Sequence, residues 1–161
     1  MINTQGVSVM KIKDMCLCAL FAVLIGIGAF IKVPVSIVPI TLQTLFVILA
    51  SLILRQKAIY SVLLYVCMGL IGLPVFTSGG GISYVLIPSF GYLIGFIISS
   101  WFVGRYQNTN HISLFLRSCI GLAMIYIIGM LYFIFIQYVY YGQVFSISWI
   151  FTSLCLVYLP G

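Results

Sequence analysis

Apolar stretches follow one another through this chain with almost nothing charged inside them, and that limits it to very few folds. They cover residues 15–31, 41–54, 58–73, 89–103, 118–140 and 144–159. A helix on the surface of a soluble protein needs a polar face opposite its apolar stripe; these runs are apolar on all sides. Hydrophobic side chains make up 64% of the chain and charged ones 5%, against about 25% charged in a soluble domain. Such a chain cannot cover a water-facing surface, so most of its surface must face lipid. The expectation is one all-α transmembrane domain over residues 1–161. At roughly 20 residues per span, the length allows five or six helices.

The few charges set an orientation. Lys11 and Lys13 precede the first run, Arg55 and Lys57 separate the second from the third, and Arg105, His111 and Arg117 separate the fourth from the fifth. The intervening loops at 77–87 and 141–143 carry no charge, and Lys32 is the one exception among the seven basic residues. Basic loops stay on the cytoplasmic side. The reading is therefore a multi-pass protein of the cell membrane with a cytoplasmic N-terminus. Lys32, on the outer side, is read as a side chain reaching to the interface, in preference to one that contacts a ligand. The run at 15–31 imitates a signal peptide, but no A-x-A cleavage site follows it and more apolar runs do. It is read as a retained first helix.

Several functions are excluded by what the chain lacks. A nucleic-acid surface needs clustered Lys and Arg, and here the basic residues are spread out. Asp14 is the single acid, so general acid–base chemistry has little to work with. No Ser/His/Asp set, paired carboxylates or metal cluster can be assembled, and no cofactor is implied. His111 reads as solvated in a basic loop. The triple glycine at Gly79, Gly80 and Gly81 is followed by no Gly-Lys-Ser/Thr, so there is no nucleotide loop. Cys16, Cys18, Cys67, Cys119 and Cys155 form no C-x-x-C pair and read as small packing residues. The chain is not expected to be an enzyme.

Three features could carry function. Cys18, Ala22 and Gly26 stand four residues apart, so they share a helix face and would let another helix approach closely. That helix could belong to the same bundle or to a partner. In Val33-Pro-Val-Ser-Ile-Val-Pro-Ile-Thr-Leu-Gln-Thr44, two prolines give an extended entry to the second helix. Thr41 could cap that helix. Gln43 offers donors and an acceptor that suit an amide or urea-like ligand, or that could bond a neighbouring helix. In the stretch from Gly72 to Phe96, Phe76, Tyr84, Phe90 and Tyr92 surround the glycine run. Apolar walls with a few polar groups describe a small-molecule pocket; interfacial aromatics of an outer loop would look similar. Pro74 is expected to end the third helix, and Pro88 to open the fourth.

Taken in order, Pro39-Ile-Thr-Leu-Gln-Thr-Leu45, Leu64-Tyr65 before Gly69, Gly72-Leu-Pro-Val-Phe76, the glycine loop and Phe90-Gly-Tyr-Leu-Ile-Gly-Phe96 resemble the BioY family. These are the biotin-binding S components of energy-coupling-factor transporters. The resemblance implies a six-helix bundle with a biotin site near the outer face. It also implies partners, a transmembrane coupling subunit and ATPase subunits that hydrolyse the ATP. Gln43 and Thr44 would then make polar contacts to the ligand. Phe76, Tyr84, Phe90 and Tyr92 would form its walls, and Gly79, Gly80 and Gly81 a lid. The Cys18/Ala22/Gly26 face would dock on the coupling subunit.

There are departures from the family pattern. Pro88-Ser-Phe-Gly-Tyr92 stands where the family commonly reads Pro-Thr-Gly-Gly-Tyr, and the chain stops at Pro160-Gly161. In the family an aspartate and a lysine follow that Pro-Gly pair on the last helix. The resemblance thus implies about five spans here, with the sixth helix and its two charges missing. The alternatives are an S component for thiamine or riboflavin, and a helical assembly subunit that binds no ligand.

Overall fold

In lipid, backbone groups must be satisfied within the chain, which favours helix. The computed structural model describes residues 11–33, 40–105 and 110–140. They form α1 (Ile12–Phe30), α2 (Gln43–Leu54), α3 (Ala58–Ile71), α4 (Phe90–Arg105) and α5 (His111–Tyr140). Two short strands, β1 (Lys32–Val33) and β2 (Ile40–Thr41), pair antiparallel with Lys32 opposite Thr41 and tie the end of α1 to the start of α2. Pro34, Pro39, the side chain of Lys32, Cys155 and the apolar stretch 144–159 lie outside the described residues.

By length and composition α1, the stretch Gln43–Ile71 and most of α5 could each cross a membrane. Gln43–Ile71 is nevertheless two helices. At Arg55 the backbone leaves the helical region (φ 58°, ψ −131°), and a single 3-10 turn leads into α3. Side-chain neighbours then fix each direction. Asp14 is ion-paired with Lys57, and Gly104 lies against the Arg55 carbonyl. The start of α1, the α2–α3 turn and the end of α4 therefore share one end of the bundle. At the other end Gly28 abuts the Gln43 backbone, Gly26 faces Tyr65, and Gly91 abuts Tyr132. Successive helices alternate in direction. Lys11, Lys13, Arg55, Lys57, Arg105 and Arg117 all belong to one end, called here the charged end; the opposite end is neutral.

The core lies among α1, α2, α3 and α4, with Ala22, Ile25, Val47, Val62, Tyr65 and Phe96 buried. From α5, Ile125 enters it and Gly121 lies against Ser99, Val103 and Ile48. The remainder of α5 packs chiefly on α4. Its other side leaves Phe115, Leu116, Leu131 and Phe135 exposed, as lipid-facing residues are.

Four expectations need correction. The third helix stops at Ile71, before Pro74, because Gly72 adopts φ 118° and turns its N–H back to the Gly69 carbonyl at 3.2 Å. A left-handed residue after the last turn is how many helices end. The fifth helix begins at His111, well before Ser118. Arg117, placed in a loop by its charge, is buried within α5, and its Nε donates to Ser113 Oγ one turn earlier at 3.1 Å. Thr41 does not cap α2: Leu42 holds that position without a side-chain bond, and the Thr41 hydroxyl donates instead to Gln43 Oε1 at 3.3 Å. Of the described cysteines, Cys18 packs inside while Cys16, Cys67 and Cys119 are exposed.

Candidate functional site

The neutral end is built around one phenol. Tyr65 sits on α3 in an otherwise apolar turn and is fully buried at 0% exposure. A buried tyrosine hydroxyl needs partners, and Tyr65 finds two. Gln43 Nε2, from the first residue of α2, donates to it. Its own proton goes to the Val75 carbonyl at 3.1 Å. One residue further on, the Phe76 ring meets Tyr65 edge-on, with centroids 5.5 Å apart. That ring fits because Gly69, one turn after Tyr65, leaves a slot; a methyl there would overlap it.

On its other side Phe76 packs against Tyr84 at 4.4 Å. The Tyr84 hydroxyl lies 2.8 Å from Thr77 Oγ1 and 3.0 Å from Ser89 Oγ. Two neutral polar clusters, Thr41–Gln43–Tyr65–Val75 and Thr77–Tyr84–Ser89, thus flank a single aromatic ring. In hydrocarbon such paired hydroxyls and amides are stable where lone ones would not be.

The loop between α3 and α4 is held down along its length. Phe76 and Gly79 exchange backbone bonds of 3.0 and 3.3 Å. The Gly81 N–H donates to the Gly69 carbonyl at 2.7 Å, and Gly80 lies against the Leu73 carbonyl with no room for a side chain. The three glycines form a tight turn seated on the end of α3.

The residues expected at a site therefore separate. Gln43, Phe76 and Tyr84 come together, with Gly79, Gly80 and Gly81 forming the turn beside them. Thr44 is half-buried one position along α2 from Gln43, about 100° around the helix. Phe90 and Tyr92 face α5: Phe90 meets Tyr132 at 5.9 Å, and Tyr92 meets Tyr126 at 6.1 Å and lies over Gly129. The Gln43 amide is bonded to another helix, so interhelical bonding is one of its roles. Cys18 and Ala22 are 5% and 0% exposed, and Gly26 is also buried, so this stripe faces into the bundle. Cys18 Sγ donates to the Lys57 carbonyl, and Gly26 lies beside the Tyr65 ring. A docking surface made of these three residues is corrected accordingly, because the bundle itself uses the close approach they permit.

Sequence reasoning missed Tyr65, Thr77, Ser89 and Tyr132, whose hydroxyl donates to the Val85 carbonyl. Tyr65 left one signal, a lone phenol one turn before a glycine in an apolar helix. Among the described residues no three His, Cys, Asp or Glu side chains gather to hold a metal.

A multi-pass helical membrane bundle with a neutral, hydrogen-bonded aromatic end defines the class. Residues 2–161 match the BioY family, and the chain belongs to that family. A Lysinibacillus sphaericus protein named probable biotin transporter BioY is 44% identical over 124 residues, which are 74% of this chain and 63% of that protein. The alignment thus spans less than two thirds of that relative's length. The Thermotoga maritima biotin transporter BioY is 36% identical over 121 residues, 73% of this chain and 72% of that one. A crystal structure of the S-component for biotin from an ECF-type ABC transporter superposes with a TM-score of 0.77 at 24% identity. It covers 98% of this chain and 85% of that chain, and so shows a common fold.

Proposed function

We propose that this chain captures biotin as the membrane-embedded S component of an energy-coupling-factor transporter. The observation that carries the reading is the neutral-end cluster of Gln43, Tyr65, Phe76 and Tyr84, in a member of a family whose named relatives are biotin transporters. Biotin presents a ureido ring, an apolar thiophane ring and an anionic tail. A neutral amide suits the ureido group, because it both donates and accepts. The aromatic edges and faces suit the thiophane ring.

By the positive-inside rule the charged end faces the cytoplasm and the neutral end faces out. Biotin then arrives from outside at Gln43, Thr44 and Phe76. A coupling transmembrane subunit and ATPase subunits supply the energy, since a binding bundle of this kind needs no ATP site of its own. The turn at Gly79, Gly80 and Gly81 closes over the ligand. Phe90 and Tyr92 contribute indirectly, by fixing the α4–α5 seam beside the cluster.

The test is calorimetric titration of the detergent-purified chain with biotin, thiamine and riboflavin in turn. Heat of binding for biotin, with no displacement by the other two, is expected. Preferential binding of thiamine or riboflavin would move the substrate assignment to that vitamin. Binding of none would leave a helical assembly subunit as the better reading.

A further inference from the structure

The proton count around Tyr65 decides which way the Gln43 amide points. Amide oxygen and nitrogen look alike by shape, so their assignment must come from the bonding network. Tyr65 has a single hydroxyl proton, and it is committed to the Val75 carbonyl, which can only accept. Towards Gln43 the phenol can therefore only accept, so the Gln43 Nε2 must face it. The Gln43 oxygen is left facing the Thr41 hydroxyl, which donates to it. Among the described residues, nothing else bonds the second N–H of Nε2 or the second lone pair of Oε1. The same hydroxyl that orients the amide also ties down the loop residue beside Phe76. Tyr65 thus links three elements of the neutral end: it lies beside Gly26 of α1, bonds Gln43 of α2, and meets Val75 and Phe76 of the loop.

We infer that Tyr65 is a positioning residue, which presents the Gln43 amide to the ligand in one orientation and holds the Gly72–Gly81 turn against α3. The part of this that concerns ligand rests on the biotin reading above; the part that concerns the turn does not. Without the hydroxyl the amide is free to flip, and the Val75 carbonyl loses its donor. The ring remains, so Phe76 keeps its packing.

Tyr65→Phe in the full chain is the test, with two readouts. Without ligand, amide hydrogen exchange at Phe76, Gly79 and Gly81 is expected to rise while α1, α2 and α4 stay protected. With biotin, affinity is expected to fall about ten-fold or more, the scale of one buried hydrogen bond. In a Gln43→Ala background the same substitution is expected to cost clearly less than it does alone, because much of its effect runs through that one amide. Losses that simply add, or exchange and affinity that match the wild type, overturn the inference. Should the wild-type chain bind no biotin, the substrate reading fails. The exchange measurement then decides the inference alone, a rise at the turn supporting it and no rise overturning it. Should Tyr65→Phe not fold, the Gln43 side-chain amide resonance of the wild-type protein decides. One Nε2 proton protected from exchange supports the inference, and both exchanging freely overturns it.

Discussion

The two ends of the bundle solve one problem with different chemistry. At the charged end Asp14 and Lys57 pair near the polypeptide turn at Arg55, with Lys57 42% and Asp14 20% exposed in their side chains. At the neutral end Gln43, Tyr65, Phe76 and Tyr84 are all buried, and every bond among them is between uncharged groups. A partly exposed ion pair of this kind is weaker and more forgiving than a buried one, because water still reaches its partners. A buried neutral network is unforgiving, since each member satisfies another and none has water to fall back on. The comparison teaches that the bundle keeps its ion pair and its directed neutral hydrogen bonds at opposite ends. On the function proposed above, charge sets which end stays inside, and shape with directed hydrogen bonds builds the end that holds the ligand.

Truncating the ring at the centre of the neutral end is expected to break this contrast most severely. Phe76→Ala removes a side chain packed between two tyrosines, and a loss on the order of 3 kcal/mol or more is expected for a buried aromatic. A fall in the thermal midpoint in detergent, together with lost biotin binding, checks this; a midpoint like the wild type's would show that the ring is not central. Next comes Gly69→Ala, whose methyl would meet the Phe76 ring. Overpacking of this kind costs about 1–3 kcal/mol, so a smaller drop in midpoint is expected, with exchange rising in the Gly72–Gly81 turn. Ser89→Ala removes one of two hydroxyl partners of Tyr84 while Thr77 remains. A change of only about 1 kcal/mol is expected in a denaturation series, on the scale of a single hydrogen bond. At the charged end Lys57→Ala is expected to lower the midpoint least of all and to leave ligand affinity unaltered. A larger drop there than in Phe76→Ala would reverse the comparison.

Much of the architecture could be read before any coordinates. Six of the seven basic residues fall between alternate pairs of apolar runs or before the first, and the described helices do alternate, with those residues gathered at one end although Arg117 lies inside α5. Gln43, Phe76 and Tyr84 were also legible, as polar and aromatic groups beside helix ends. What stayed hidden depended on partners distant in sequence. Phe90 and Tyr92 look like pocket walls until α5 brings Tyr132 and Tyr126 against them. The Cys18, Ala22 and Gly26 stripe permits close approach, but its residue types do not say which helix approaches. Arg117 marks a loop by charge alone, whereas the bond to Ser113 one turn away makes it tolerable inside a helix. Tyr65 was the largest omission, because its importance lies in bonds to Gln43 and Val75, 22 and 10 residues away.

One set of three titrations tests the division between the ends most directly. Biotin would be titrated calorimetrically into purified wild-type chain, Gln43→Ala and Lys57→Ala under the same detergent conditions. The account predicts wild-type affinity for Lys57→Ala and at least about a ten-fold loss for Gln43→Ala, the scale of one lost hydrogen bond to ligand. Equal affinity in all three chains, or a loss confined to Lys57→Ala, would contradict it.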